Sequence, residues 1–187
     1  ADIYLMLNET DSAIAWWKKA LKFRSDFQSS MKLGFQYLIR DDYSNAEKYF
    51  LQYASARGEE QKLYAEIMPA LITMRQGKMN QAVRRILELM PIHASQKNSD
   101  FLLYDYANLI FLYDELGDYN SAEKFARMNS SERKKYSGDR IAGGDLLAYA
   151  LQKNGKQDLS SALINDHRKN YNRMGPEERA NADYTEG

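Results

Sequence analysis

The sequence predicts an all-α fold, a right-handed superhelical solenoid of antiparallel helix pairs without strands. Two observations carry this expectation. Only 3 prolines and 10 glycines interrupt 187 residues otherwise rich in Ala, Leu, Lys, Glu and Gln, a composition of strong helix formers with few breakers. The text also repeats itself. "YDELGDYNSAEKFA" (residues 113–126) and "IRDDYSNAEKYF" (residues 39–50) share an acidic residue, a Tyr, a short polar pair and then Ala-Glu-Lys-aromatic. Self-similarity at a fixed distance is the signature of stacked supersecondary units.

Alignment on the alanine of "SAEKF" finds equivalents at Ala13, Ala46, Ala82 and Ala122, and a weaker one at Ser160. Successive positions differ by 33, 36, 40 and 38 residues. Five residues before each lies a turn former: Asn8, Asp41, Gly77, Gly117 and Gly155. Such residues tolerate the left-handed conformation that ends a helix, so Gly117 is expected at positive φ. Nine residues before the small residue stand Tyr4, Tyr37, Tyr113 and Leu151, with Thr73 the exception. Four residues after it come Trp17, Phe50, Ile86, Ala126 and Ile164. Two antiparallel helices joined by a tight turn must approach closely, so a small residue is expected at each crossing, Ala122 included. Each pair leaves an apolar face that the next pair covers.

The fourth unit, with Tyr106, Leu109, Tyr113, Leu116, Gly117, Tyr119 and Ala122, resembles the tetratricopeptide repeat (TPR) family. The second matches at Leu33, Gly34, Tyr37, Tyr43, Ala46 and Phe50. The first keeps Tyr4, Ala13 and Trp17, the third Ala70, Gly77, Ala82 and Pro91, and the fifth only Leu147, Ala148, Leu151 and Gly155. The resemblance covers residues 1–167 as about five units, the first truncated and the fifth degenerate. Residues 168–187 read as a polar C-terminal helix or tail. The spacings exceed the family's period of about 34 residues, and the extra length is assigned to 93–100 and 130–139.

Composition bounds the function. Lys plus Arg equals Asp plus Glu, 26 each, so the chain lacks the basic footprint that phosphate binding needs and no nucleic-acid partner is expected. No apolar run reaches bilayer length, so no membrane insertion is expected. The absence of cysteine excludes disulfides, zinc–cysteine sites and thiol nucleophiles, and leaves cytoplasmic and periplasmic placement both open. The chain opens within a helical pattern and without a start Met, as a fragment of a longer protein would. His93 and His167, the two histidines, fall in different units and are expected at the surface or at helix ends. No HExxH, phosphate-loop or dinucleotide fingerprint occurs. The expectation is therefore no enzyme, no catalytic residue, no metal and no cofactor. "IAGGD" (residues 141–145) is assigned to a close helix crossing. "RKKYSGDR" (residues 133–140) is assigned to a solvated basic loop.

In the family, the first helix of each repeat lines the concave face. The resemblance therefore implies a partner-binding groove of Met31, Lys32, Phe35, Tyr64, Ile67, Tyr104, Asn108, Phe111 and Tyr149. Members that grip C-terminal carboxylates use a Lys/Asn/Arg clamp, and of Met31, Lys32, Phe35, Tyr64 and Met68 only Lys32 suits one. An aromatic and Met-rich lining fits an amphipathic helix or an extended apolar peptide better. The same aromatics could simply pack between repeats. The expected function is a non-enzymatic scaffold binding a protein or peptide. The alternative is a sensor or regulatory domain of a larger bacterial-type regulator or envelope-assembly protein.

Overall fold

A computed structural model describes residues 6–7, 9–23, 27–55, 58–95, 100–137 and 144–173. The helices are α1 (Thr10–Phe23), α2 (Phe27–Ile39), α3 (Tyr43–Ala54), α4 (Glu59–Arg75), α5 (Met79–Ser95), α6 (Asp100–Glu115), α7 (Tyr119–Ser137), α8 (Gly144–Lys153) and α9 (Gln157–Arg173). No strand occurs among the described residues. The chain divides into two compact units, Ala1–His93 and Ala94–Gly187. In the first, α1, α2, α3 and α4 pack successively; in the second, α6, α7, α8 and α9 do so, with α6 also touching α8.

The turns within the pairs α2–α3, α4–α5, α6–α7 and α8–α9 share one construction. The chain turns left-handed at Asp41 (φ 57°), Gly77 (75°), Gly117 (72°) and Gly155 (72°). Asp is among the few residues with a side chain that visit this region without great cost. At the third of these turns the Gly117 N–H donates to the Asp114 carbonyl at 2.9 Å, and the Asp118 N–H to the Tyr113 carbonyl at 2.8 Å. The same two bonds recur onto Leu38 and Tyr37, onto Met74 and Thr73, and onto Gln152 and Leu151. This is the Schellman closure. The residue after the left-handed one then opens the next helix. Carbonyls of Asp42, Lys78, Asp118 and Lys156 accept from the N–H groups of Ala46, Ala82, Ala122 and Ser160 at 2.9–3.1 Å. At Asp42 and Asp118 the carboxylate also caps the N–H of Asn45 and Ser121, at 3.2 and 3.1 Å. Hydrogen bonds from the side chain and backbone of Asn45 hold Asp42 below the usual carboxylate range, and those from Ser121 do the same for Asp118. Asn8 lies outside the described residues.

The small residues are where closeness requires them: Ala13, Ala46, Ala82, Ala122 and Ser160 are all buried. The Ser160 hydroxyl donates to the Ala148 carbonyl at 2.9 Å, which satisfies the one polar group in the series. Trp17, Phe50, Ile86 and Ala126 are buried behind them, whereas Ile164 is 39% exposed. A stacked ring pair recurs in the same place in two repeats: Tyr37 on Tyr49 at 5.5 Å and Tyr113 on Phe125 at 5.6 Å between centroids.

One sequence expectation needs correction. The stretch from Arg133 to Ser137 is not a loop, because α7 runs on to Ser137; Lys and Arg are good helix formers and suit a helix C-terminus. His93 is at a helix end, as expected, but is fully buried. Helix α9 runs from Gln157 to Arg173, so residues 168–173 are helical. The close crossing assigned to "IAGGD" is present at Gly144: a Cβ there would stand 1.5 Å from the Cε1 of His167.

Two contacts give this architecture measurable consequences. At Gly34 an added Cβ would stand 2.4 Å from the buried ring of Phe50. Gly34→Ala should therefore destabilise by about 1–3 kcal/mol through overpacking, against the ~1 kcal/mol by which alanine favours a helix. A lower urea midpoint at unchanged slope is the expected result.

The second contact is Glu123 on α7, which is buried and ties its helix to the following turn. Its Oε1 accepts from Arg127 Nε and Nη2 at 3.0 and 2.8 Å. Its Oε2 accepts from Asn154 Nδ2 and Lys156 Nζ at 2.6 and 2.7 Å. Burial pushes the carboxyl up, but hydrogen bonds from Lys156, Asn154 and Arg127 outweigh it and bring the pKa from 4.5 to about 2. A depressed carboxylate stabilises above its unfolded pKa and loses that contribution as pH falls through the folded value. Glu123→Gln should cost about 2–3 kcal/mol at neutral pH and flatten the loss of stability between about pH 5 and pH 2, read from denaturation midpoints across that range.

Candidate functional site

The first helices of the second unit, α6 and α8, carry a continuous aromatic surface. Positions three or four apart on a helix share a face. On α6 this places Tyr104, Asn108 and Phe111 in one row, with Asp114 three residues further on. Tyr104 is 38% and Phe111 50% exposed, while Leu109, Ile110 and Leu112 on the same helix are fully buried. Asn108 is half-buried and bonds its Nδ2 to the Tyr104 carbonyl at 2.9 Å. Helix α8 brings Tyr149 alongside, its ring centroid 6.5 Å from that of Phe111.

A polar cluster fixes Tyr149. Its hydroxyl donates to Asp114 Oδ2 at 2.5 Å, and Lys153 Nζ lies 3.5 Å from the same oxygen. The ammonium of Lys153 also stands 5.4 Å from the Tyr149 ring centroid, within cation–π range. The other carboxylate oxygen of Asp114, Oδ1, is buried and has no hydrogen-bond partner among the described residues. The hydrogen bond to Asp114, then burial and the carboxylate charge, raise the Tyr149 phenol pKa. The charge of Asp114 and the hydrogen bond with Tyr149 raise that of Lys153. Both shifts keep the phenol and the ammonium protonated at neutral pH, and what these two groups contribute is lost as pH rises through their folded values. Asp114 and Lys153 were missed in the sequence. The only signal for Asp114 is its place three residues after Phe111.

The first unit treats its expected groove residues differently. Phe35 is half-buried and meets Phe50 edge to face at 5.2 Å. Met31 and Lys32 are half-buried, with Lys32 Nζ 5.9 Å from the Trp17 ring centroid. Ile67 does not line an accessible surface: it is 1% exposed and packs in a core with Met68, Leu71, Phe50 and Leu38. The neighbouring position, one residue or about 100° away, is just as buried at Met68, because this stretch of α4 turns apolar groups inward on a wide arc. The side chain of Tyr64 lies outside the described residues. Among the described residues no group of three or more acidic or His side chains is placed to hold a metal ion, and no helix is long and apolar enough to cross a membrane.

Helix pairs closed by one recurring turn, with an exposed aromatic row on the first helices, define an all-α, TPR-like helical-repeat fold. No protein-family model matches the sequence, and no curated protein matches it. Among solved structures, the crystal structure of the apo form of RapI is similar over 89% of this chain and 65% of RapI, with a TM-score of 0.64 at 17% identity. The chain thus spans 65% of the length of RapI, and the likeness is one of fold.

If Asp114 holds Tyr149 in place, Tyr149→Phe should destabilise by about 1.5–3 kcal/mol, since a largely buried carboxylate loses a hydrogen-bond donor. Lys153→Met should cost less, because its side chain is 46% exposed. Thermal melting of the two variants side by side checks the ranking.

Proposed function

We propose that this chain is a non-enzymatic interaction scaffold of the tetratricopeptide repeat family that holds a peptide or protein segment in the groove formed by its first helices. The observation that carries the reading is the exposure of Tyr104 and Phe111 on a helix whose Phe101, Leu102, Tyr106, Leu109, Ile110 and Leu112 are buried. Large amphipathic rings supply contact area at low entropic cost and dominate most interfaces. Asn108 and Tyr149 extend the same surface. In the first unit the family resemblance assigns Met31, Lys32 and Phe35 to such a lining, while Ile67 contributes to the core. A partner segment with apolar anchors, helical or extended, suits this lining better than a charged tail.

A second reading has a specific support. The likeness to RapI extends over 65% of that protein, so the chain corresponds in fold to part of a longer molecule. In this reading it is the regulatory or sensor portion of a larger protein, and the groove holds the ligand that controls the rest.

Replacing Tyr104 and Phe111 together with Ala should weaken capture of the partner at least tenfold, about 1.4 kcal/mol or more, with circular dichroism and melting temperature little changed. Partners are first obtained with the unaltered chain as bait. Retained binding in the variant, or loss of its helical signal, would remove the groove from the account and leave these rings as packing.

A further inference from the structure

Helix α7 presents a face that the groove reading does not use. Its exposed positions from residue 124 to residue 135 are Lys124, Arg127, Met128, Ser131, Lys134 and Lys135. The intervals are three, one, three, three and one, so all six lie within a third of the helix circumference, in one stripe. Four carry positive charge, one is apolar and none is acidic. Two acidic residues flank the stripe and pair with it: Glu123 is buried and binds Arg127 as well as Asn154 and Lys156, and Glu132, its side chain 15% exposed, meets Lys135 at 2.8 Å, so the stripe's charge is carried chiefly by Lys124 and Lys134. The second helices of the neighbouring pairs differ. On α3 the exposed residues include Glu47 and Lys48; on α5, Arg84, Arg85 and Glu88; on α9, Asp158, Asp166, Arg168 and Lys169. Their charges are mixed, as a solvated face requires. The single-signed stripe is peculiar to α7 among these described helices, in a chain whose formal net charge is zero.

We propose that this stripe is a second docking surface, separate from the groove, for an acidic amphipathic helix of a partner protein. The dimensions select the occupant. Residues 124–135 rise about 16 Å along the axis, the length of three helical turns. The width is one row of side chains. Met128 sits at 36% exposure among the cations and offers a polarizable anchor for one apolar side chain of the partner. Acidic side chains on the partner helix would meet Lys124 and Lys134 first, since Arg127 and Lys135 already pair with Glu123 and Glu132. Nucleic acid is disfavoured, since its affinity rests on neutralising many phosphates and the stripe supplies four cations, two of them already paired with Glu123 and Glu132. An anionic membrane is disfavoured too, because the stripe has no Trp, Phe or Leu to insert.

The test uses a fluorescein-labelled synthetic 16-residue peptide, with Glu at three- and four-residue spacing and one central Leu, read by fluorescence anisotropy against this chain. A peptide of identical composition in scrambled order is the control. The ordered peptide should bind more tightly, and its affinity should fall steeply between 50 and 300 mM salt. The double variant Lys124→Glu/Lys134→Glu should weaken binding by at least about tenfold, with Lys124→Gln/Lys134→Gln intermediate. Tyr104→Ala/Phe111→Ala should leave it unchanged, which separates this site from the groove. Both lysines are exposed, so the melting temperature should hold; if the Glu variant unfolds, the Gln variant decides. Equal binding of the scrambled peptide, unaltered binding by the charge variants, or no binding at 50 mM salt would overturn the proposal. Tighter binding to phosphatidylserine vesicles or to a 20-nucleotide single strand would overturn it as well.

Discussion

One backbone constraint fixes each described helix pair: the helix must end in a left-handed residue whose successor immediately begins the next helix. Asp118 shows the economy of this. Its N–H closes α6 on Tyr113, its carbonyl receives Ala122 and its carboxylate caps Ser121. With no free linker, the direction and register of the second helix follow from the first. The crossing point then falls a fixed number of residues on, and only a small side chain fits there. Burial of Ala46, Ala82, Ala122 and Ser160 follows from the turn rather than from any preference of their own. The ring stacks Tyr37–Tyr49 and Tyr113–Phe125 follow in turn, since each spans the same nine-before and three-after positions.

Where the repeats differ, polar chemistry supplies the difference. In the first unit Asp41 meets Arg75 at 3.4 Å and Arg40 meets Asp11 at 2.6 Å, all with exposed side chains, and such pairs contribute little. In the second unit the links are buried at one end. Glu123 and Asp114 each take their partners from the neighbouring pair α8–α9, and a buried carboxylate without partners would be costly. The second unit therefore specifies the placement of α8 against α6 and α7 more tightly. It is also there that large rings stay exposed. A rigid frame that positions exposed Tyr104 and Phe111 loses less entropy on binding than one that must order them.

What could be read in the sequence, and what could not, divides along the range of the interactions. The all-α class, the turn residues at 41, 77, 117 and 155 and the buried small positions were legible because each depends on local geometry repeated at similar intervals. Tyr104, Asn108 and Phe111 were legible as one face because helical spacing is local too. Ile67 was not, since a one-residue error in facing turns a side chain by about 100° and α4 is apolar over a wide arc. The "RKKYS" stretch reads as a loop if charge alone is weighed, yet its residues favour helix and continue α7. The bonds that Asp114 and Glu123 make carry no local mark. Their partners Tyr149, Lys153, Asn154 and Lys156 lie more than 30 residues away in the chain, and only the stacking of one pair on the next brings them together.

The stacking also explains how one helix pair can offer two surfaces of opposite character. A second helix in this arrangement needs its small and aromatic residues on the buried arc, which on α7 are Ala122, Phe125, Ala126 and Asn129. On the remaining arc Arg127 serves the buried Glu123, while Lys124 and Lys134 are exposed and their charge is set by something other than packing. The same holds for the outer row of α6, where Tyr104 and Phe111 could be polar without disturbing Leu109 or Ile110 inside. Two unconstrained arcs that depart from a mixed, polar surface in different directions, one aromatic and one cationic, would respond differently to salt. Desolvation of rings is insensitive to ionic strength, whereas attraction to a stripe of ammonium and guanidinium groups is screened over about 10 Å at 0.1 M. An assembly that engages both would then associate through the cationic arc and persist through the aromatic one.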